Sequence, residues 1–280
     1  FSKVPKILSI QDLIYRKYPD LFPGEDLKSL DKQMRKACQI SDHIVSISES
    51  TKRDLIQSFG INPSKISVIY PACDPRYTYQ NSADKRQRIK EKYNLPDSYL
   101  LYVGSITKRK NLLTIVKALN VLPKKERLPL VVVGARSSYT QEVLRYVEEN
   151  NLGDFLIFPK YVATDDLPAV YQQARLFLYT SLYEGFGIPV VEAITSGIPV
   201  ISSSTSSLPE AAGSRSFLVE PLDVDQTAEA IMRLNRDDAL REEMIEEGHR
   251  HCQKFDNRRV TVKLSKLYAR LATKKESEAR

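Results

Sequence analysis

The sequence predicts an α/β protein built on parallel sheets. Short apolar runs typical of buried strands alternate with longer segments typical of helices along most of its 280 residues. Glycines and charged residues that suit ligand binding follow the ends of these predicted strands, which is where ligands bind in parallel α/β sheets. The chain is 42% hydrophobic and has no apolar run of membrane-spanning length, so we expect a soluble protein with a sizeable core.

The first part of the chain is predicted to be a partial Rossmann-like domain, over residues 1–80. Its predicted elements are strands at 6–10, 43–47 and 66–69 and helices at 27–38 and 50–59. A free-standing doubly wound sheet normally has more strands than these three. The segment therefore looks like the latter half of a domain. Residues 78–85 are polar and rich in helix breakers, which predicts a linker.

Residues 81–255 are predicted to form a second domain, a doubly wound sheet of parallel strands with helices between them. Its predicted strands are 99–103, 130–133, 155–158, 176–179, 199–202 and 217–219. The end of the chain is predicted to be helical over 226–234, 237–251 and 258–273.

Residues 184–192, Glu-Gly-Phe-Gly-Ile-Pro-Val-Val-Glu, are the strongest candidate for a binding site. They follow a predicted strand, and Pro189 suits the first turn of a helix. Glycines allow close backbone approach, and the unpaired N–H groups of a helix start attract phosphate. The carboxylates of Glu184 and Glu192 suit hydroxyl groups instead, because ionised carboxylates are acceptors only. The predicted ligand is a sugar nucleotide.

A second predicted anion site begins at Gly104-Ser105, directly after a strand, and continues into a helix start at 108–111. Lys110 and Arg109 supply positive charge there. These two cations favour an anion, and the Ser105 hydroxyl is able to donate one hydrogen bond to it.

The spacing of Glu184 and Glu192, with Gly-Phe-Gly-Ile-Pro between them, resembles the E-x7-E motif of family 4 glycosyltransferases, retaining enzymes of GT-B architecture. Further matches follow in order: Tyr-Val-Gly-Ser at 102–105, Arg-Lys-Asn at 109–111, Asp-Leu-Pro at 166–168, Gly-Ile-Pro-Val at 197–200 and Ser-Leu-Pro-Glu at 207–210. The resemblance covers residues 6–272. It implies a partial acceptor-side domain at 1–80, a donor-binding domain at 81–255, and a crossover helix with a tail at 256–280.

The resemblance also implies roles for single residues. Glu192 would accept hydrogen bonds from the ribose hydroxyls and Glu184 from the donor sugar, although either could instead be a carboxylate that favours a helix dipole. Lys110 would contact the diphosphate, and Ser105 stands where the family usually has arginine. The remaining donor-site positions are Gly104, Arg109, Tyr161, Val162, Gly185, Phe186 and Gly187.

Two positions leave alternatives open. Tyr161 and Val162 fall where the family frames the nucleotide base, but Tyr161 could equally be an aromatic at the edge of the core. Gln11 precedes Asp12 where the family commonly has His-Asp. A glutamine amide orients a hydroxyl but does not titrate, so it is either an acceptor contact or a structural loop amide.

The predicted function is a retaining glycosyltransferase that moves a hexose from a nucleoside-diphosphate sugar, of GDP-mannose or UDP-hexose type, to a glycan or lipid-linked acceptor. His249, His251 and Cys252 are not spaced to hold a metal together. We therefore expect no metal, and no cofactor other than the donor. The alternatives are a GT-B sugar-nucleotide epimerase and a non-catalytic nucleotide-sugar-binding or regulatory subunit.

The net charge of +7 comes from basic runs at 85–92, 108–110 and 124–127 and from the C-terminal segment. Solvated surfaces explain such runs, and attraction to an anionic membrane or a lipid-linked acceptor is the alternative. No aromatic residues interleave the runs at 85–92, 108–110 and 124–127, so nucleic acid is not an expected partner. Three cysteines without paired spacing favour a reducing compartment. We expect a cytoplasmic protein, with peripheral contact at the inner face of the membrane as a further expectation.

Overall fold

A computed structural model of the protein describes residues 4–278, with side chains described up to residue 274. The chain divides into two compact units. Unit 1 comprises the chain up to Ala72, the short segment Glu184–Phe186 and the chain from Lys254 onwards. Unit 2 comprises Cys73–Tyr183 and Gly187–Gln253.

Unit 1 contains a parallel sheet of order β1-β2-β3, formed by β1 (Ile7–Ile10), β2 (His43–Ser46) and β3 (Ile66–Val68). Its core packs strand residues such as Ile10 and Ile44 against helix residues such as Leu55. The helices of this unit are α1 (Ile14–Lys17), α2 (Leu27–Ile40), α3 (Glu49–Phe59) and, at the end of the chain, α12 (Asn257–Glu278).

The start of α3 follows directly from local chemistry. The Ser48 side chain accepts a hydrogen bond from the Thr51 backbone N–H at 3.0 Å, which satisfies one of the free donors of the first helical turn. Ser48 therefore caps the first turn of this helix.

Unit 2 contains a six-stranded parallel sheet of order β6-β5-β4-β7-β8-β9. Its strands are β4 (Leu100–Val103), β5 (Leu130–Val133), β6 (Leu156–Ile157), β7 (Leu176–Tyr179), β8 (Val200–Ser203) and β9 (Phe217–Val219). Its helices are α4 (Ala83–Tyr93), α5 (Leu112–Val121), α6 (Tyr139–Glu149), α7 (Leu167–Tyr171), α8 (Ile188–Thr195), α9 (Leu208–Ala212), α10 (Val224–Arg236) and α11 (Asp238–Cys252). The predicted α/β class with a doubly wound parallel sheet is confirmed.

Two differences from the predicted elements have a clear local cause. The strand expected at 155–158 is reduced to Leu156–Ile157, because Gly153–Phe155 forms a 3-10 turn. A helix begins at Ala83, inside the stretch 78–85 predicted to be a linker. The Ser82 hydroxyl accepts a hydrogen bond from the Lys85 N–H at 3.2 Å and so caps this helix.

The strand order of unit 2 decides where a ligand binds. Connections run from β4 outwards to β5 and β6, and then return to β7 on the other side of β4. The order therefore reverses between β4 and β7. In open α/β sheets the crevice at the carboxyl ends of such neighbours is the usual ligand site.

Among residues 4–278, no helix combines the length and the apolar character needed to cross a membrane.

Candidate functional site

The loops after β4 and β5 touch each other at the switch-point edge of the unit 2 sheet. A Cβ atom placed on Gly134 would lie 1.9 Å from the carbonyl oxygen of Gly104, so any side chain there would collide with the backbone. Gly104 N–H donates to the Val133 carbonyl at 2.9 Å, and the Ile106 N–H donates to the Ala135 carbonyl at 2.8 Å. These bonds fix the loop that carries Ser105, whose side chain is exposed.

Lys110 stands at the end of a 3-10 turn, Lys108–Lys110, directly before α5. Its Nζ donates to the hydroxyl of Tyr179, the last residue of β7, and lies 4.7 Å from the centroid of the Tyr179 ring. A tyrosine ring attracts a cation over its face. The predicted cation is therefore held, half-buried, between the ends of the two strands that flank the switch point.

Arg109 has a different environment from Lys110. Its Nη1 donates to the Tyr183 carbonyl at 2.7 Å, while its own carbonyl accepts from the Leu182 N–H at 2.8 Å. Arg109 thus clamps the backbone of the segment that leads to Glu184. These contacts give Arg109 a positioning role, and its contact with phosphate stays a prediction.

Asn111 is a positioning residue whose role the sequence did not reveal, although it belongs to the matched Arg-Lys-Asn motif. It is 4% exposed and has a left-handed backbone with φ of 56°. Its Nδ2 donates to the carbonyls of Thr180, at 2.9 Å, and Pro221, and its Oδ1 accepts from the Thr114 hydroxyl. Asparagine tolerates this backbone conformation. Asn111 therefore ties the turn that carries Lys110 to the loops after β7 and β9.

The turn before α8 has the predicted organisation. Gly187 caps the helix with φ of 116°, a conformation that favours glycine, and Pro189 lies in the first helical turn. The first N–H groups of an α-helix lack partners within the helix. The prediction of a strand, a glycine turn and a helix start is confirmed for these residues.

Glu192 lies on α8 and is held by two buried tyrosines. The Tyr171 hydroxyl donates to Oε2 of Glu192 at 3.1 Å, and the Tyr77 hydroxyl lies near enough to this carboxylate to affect its pKa. The two rings meet edge to face with centroids 5.4 Å apart, and their exposures are 0% for Tyr171 and 4% for Tyr77. Burial raises the pKa of Glu192, and the interactions with Tyr171 and Tyr77 partly offset this rise. The tyrosines therefore orient the carboxylate and favour its ionised form.

Glu184, Gly185 and Phe186 pack within unit 1. A Cβ atom on Gly185 would lie 2.5 Å from the Gln11 carbonyl oxygen, so this position also needs glycine. The Thr51 hydroxyl donates to that same Gln11 carbonyl at 3.2 Å. The end of β1, where Gln11 lies, is therefore in direct contact with the Glu-Gly-Phe segment.

The other members of that segment are buried. Glu184 is 7% exposed. The Phe186 ring packs against Tyr70 and Phe255, with centroid distances of 5.5 and 5.2 Å. This aromatic cluster accounts for the phenylalanine of the motif by packing, so a ligand would meet the backbone of Phe186 rather than its ring.

The remaining predicted positions lie after β6. Tyr161 is 85% exposed, so the alternative of an aromatic at the edge of the core does not apply. Val162 is buried. Contact of either residue with a nucleotide base stays a prediction. Asp12, next to Gln11, accepts a hydrogen bond from the Ile14 N–H at 3.0 Å and so has a local structural role.

A parallel sheet with a fixed cation and an oriented carboxylate at its switch-point edge defines a doubly wound α/β protein, a class whose ligands bind at this edge. Comparison with known families is more specific. Residues 84–251 match the sequence profile of Glycosyl transferases group 1, and residues 1–77 match that of Glycosyltransferase Family 4. The first match covers more than half of the chain, so the chain belongs to the glycosyl transferases group 1 family.

Similar proteins agree with this assignment. The O-antigen chain mannosyltransferase B of Escherichia coli is 28% identical over 265 residues, which cover 94% of this chain and 69% of that protein. The serotype-specific mannosyltransferase WbdA of Escherichia coli is 33% identical over 159 residues, which cover 55% of this chain and 20% of that protein. The chain therefore spans about two thirds of the first relative and one fifth of the second. These relatives support a sugar transferase.

Solved structures support the fold. The crystal structure of Anabaena Alr3699/HepE in complex with UDP and glucose has a TM-score of 0.83 at 18% identity, covering 95% of this chain and 71% of that chain. A glycosyltransferase from Rickettsia africae ESF-5 has a TM-score of 0.78 at 19% identity, covering 95% and 70%. At such identities the similarity concerns the fold, and it confirms the predicted GT-B class.

Proposed function

We propose that the protein is a retaining glycosyltransferase that transfers a hexose from a nucleoside-diphosphate sugar to a glycan or lipid-linked acceptor in polysaccharide biosynthesis. The observation that carries this proposal is the carboxylate of Glu192, which the buried Tyr171 hydroxyl orients on the helix that follows the glycine turn. An ionised carboxylate held in one orientation suits a pair of neighbouring hydroxyls, such as those of a ribose.

The donor is proposed to bind through three kinds of contact. The diphosphate contacts Lys110, the Gly104-Ser105 loop and the backbone of 185–187, because fixed cations and free N–H groups bind phosphate. The ribose binds Glu192 and the donor sugar binds Glu184. The exposed ring of Tyr161, with the backbone of Val162, frames the base.

In the proposed reaction, the bond between the anomeric carbon and the diphosphate oxygen breaks, and the acceptor hydroxyl oxygen bonds to the same carbon from the same face. The acceptor proton passes to a phosphate oxygen of the leaving group. Negative charge grows on the diphosphate, and Lys110 stabilises it from a position fixed by Tyr179. Arg109 keeps the segment before Glu184 in place. Glu184 binds the sugar and is not a nucleophile.

Relatives and structural neighbours support two donor types. The names of the Escherichia coli relatives favour mannose, and therefore GDP-mannose. The presence of UDP with glucose in the Anabaena structure favours a UDP-hexose. The name of the first relative refers to an O-antigen chain, which favours a glycan or lipid-linked acceptor. We propose that transfer takes place in the cytoplasm, at the inner face of the membrane.

The primary experiment is a calorimetric titration of the protein with GDP, UDP and their hexose conjugates, paired with an assay of hexose transfer. Lys110→Met should lower the transfer rate by about 100-fold or more, since loss of one group that stabilises transition-state charge typically has this effect. Lys117→Met is the matched control, because Lys117 also lies over a tyrosine ring, at 5.7 Å from the centroid of Tyr146, but on α5. Equal rates for the two variants would contradict the role of Lys110.

The alternatives predict different results in the same experiment. Interconversion of the donor without transfer to any acceptor would favour the epimerase. Absence of binding by every nucleoside diphosphate would favour a non-catalytic interaction protein and refute the proposal.

Metal independence is a separate part of the proposal, and it rests on Lys110 as the group that neutralises the diphosphate. Transfer should be unchanged when a strong chelator is added. A loss of transfer that magnesium or manganese restores would show that a metal, and not this lysine alone, carries the charge.

A further inference from the structure

The positive charge of the protein belongs almost wholly to unit 1. Unit 1 has 20 Lys and Arg residues against 12 Asp and Glu, whereas unit 2 has 22 against 23. Three of the four basic runs in the sequence lie in unit 2, where acidic residues balance them. The uncompensated charge therefore comes from unit 1, whose C-terminal helix α12 carries much of it.

A cleft of about 320 Å³ lies in unit 1 between β3 and α12. Lys263, Lys266 and Arg270 line it from the helix, at spacings of three and four residues that place them on one face. Leu267, 6% exposed, anchors the helix beside them. The full described lining is Ser67, Val68, Ile69, Lys263, Lys266, Leu267 and Arg270, and no carboxylate is among these residues.

The three cations of the cleft are not neutralised by ion pairs. Among the side chains that the structure describes, none of the three is joined to an Asp or Glu. Surface cations of unit 2, by contrast, include Lys92, paired with Asp166 at 2.7 Å, and Arg236, paired with Glu126 at 2.9 Å. Positive charge is therefore concentrated in the cleft.

The strand wall of the cleft supplies hydrogen-bond donors. β3 is the edge strand of its sheet, so part of its backbone N–H groups face away from β2. Ser67 in this strand is bonded to the buried His43, whose Nε2 lies 2.9 Å from the serine Oγ. Burial first, and then the charges of Arg270, Lys274 and Lys65, lower the pKa of His43. His43 therefore contacts the strand wall of the cleft, and nearby cations, including Arg270 of the cleft, affect its pKa.

We infer that this cleft is an anion-binding site for a phosphate group, carried either by a soluble phosphorylated ligand or by a phospholipid headgroup. Two lysines, an arginine fork and edge-strand N–H groups suit the several acceptor oxygens of phosphate. The volume is in the range of ligand pockets and larger than one phosphate requires, so the ligand extends beyond that group. The site belongs to unit 1, whereas Lys110 and Glu192 belong to unit 2.

His43 provides a specific probe, since the chain has three histidines, at positions 43, 249 and 251. Histidine ring signals are followed by NMR while inorganic phosphate, pyrophosphate or acetate is added to the protein. Phosphate and pyrophosphate should move the His43 signals in a saturable way, and acetate should move them less. The Lys263→Gln/Lys266→Gln/Arg270→Gln variant should weaken this response by about tenfold or more. Arg88→Gln/Lys124→Gln/Lys125→Gln, with the same loss of charge in unit 2, should not.

A second arm separates the two sources of phosphate. Vesicles of equal parts phosphatidylcholine and phosphatidylglycerol are sedimented with each variant, beside vesicles of phosphatidylcholine alone. For a headgroup ligand, the triple change in the cleft should reduce binding to the anionic vesicles on the order of 100-fold, and salt should weaken binding by the unchanged protein. For a soluble ligand, the His43 response should appear without cleft-dependent vesicle binding.

The inference is overturned if the His43 signals do not respond to either phosphate, or if the two triple variants respond alike. Neither measurement involves sugar transfer, so a negative result for the anion site would not count against the proposed transferase activity.

Discussion

Substitution of Tyr171, one of the two tyrosines beside Glu192, tests whether this tyrosine positions the Glu192 carboxylate for a ligand or only stabilises the fold. Tyr171→Phe removes the hydroxyl that donates to Oε2 at 3.1 Å and leaves the ring in place. The carboxylate then keeps only its interaction with the nearby Tyr77 hydroxyl, which also lowers its pKa. We expect the ionised form to be less favoured and its orientation to be less fixed.

The size of the effect follows from the bond that is lost. A net hydrogen bond contributes about 1 kcal/mol, which corresponds to about a fivefold loss of nucleoside-diphosphate affinity at neutral pH. The pH dependence should also move. Burial raises the pKa of Glu192 and the tyrosine hydrogen bonds lower it, so removal of one bond raises the pKa further. Affinity should therefore begin to fall at a higher pH in the variant, as acid protonates the carboxylate that accepts from ribose.

The assay is calorimetric titration of GDP and UDP between mildly acidic and neutral pH. Tyr99→Phe is the control: the Tyr99 hydroxyl is also buried and donates to the Val170 carbonyl at 2.6 Å, but it has no role at Glu192. Both variants should lose some stability against urea, and only Tyr171→Phe should lose affinity. An unchanged affinity and pH profile in Tyr171→Phe would refute the assignment of Glu192 to the nucleotide.

Three further predictions concern stability. Gly134→Ala should lower the free energy of unfolding by more than about 2 kcal/mol, because its Cβ would collide with the Gly104 carbonyl. Gly153→Ala is the control, since there is open space around Gly153, and it should leave the thermal melt unchanged. The lowered pKa of His43 means that the unfolded chain binds this proton more tightly, so stability should fall as the pH drops below 6.5, and His43→Gln should flatten that slope in urea titrations. Phe255→Ala should cost about 3–5 kcal/mol in urea unfolding, since this ring is fully buried; a smaller loss would mean that the aromatic cluster collapses around the gap.

The fold could be predicted because the strands of unit 2 carry a strong local signal. β5 and β7 are runs of consecutive apolar residues, as expected for strands covered on both faces. Boundaries were less predictable where a single polar contact decides them. The hydroxyl of Ser82 starts α4 in a stretch whose composition suggests a linker, and composition does not record whether such a cap forms.

For the site, the sequence predicts which types of residue bind the ligand, but not how they are held. A glycine turn, a lysine and two glutamates are visible in the sequence, but the groups that orient them are not. Lys110 and Tyr179 are 69 residues apart in the chain and meet because β4 and β7 are neighbours in the sheet. Hydrophobic periodicity identifies strands and does not encode their order. For the same reason, the sequence does not show that Tyr77 and Tyr171 lie beside Glu192, or that Asn111 positions the turn that carries Lys110.

The sequence shows where the basic runs lie, but only the fold shows whether nearby carboxylates neutralise them. A basic run attracts an anion only if folding does not bring carboxylates next to it. A cation that is paired with a carboxylate adds little to the electrostatic potential that an approaching anion meets. In unit 2, folding places Asp166 beside Lys92 and Glu126 beside Arg236. The α12 cations that line the cleft lie beside the edge strand β3, and no carboxylate is among the described residues of its lining. Folding therefore places carboxylates next to cations in unit 2 and leaves the cations of this cleft available to an anion.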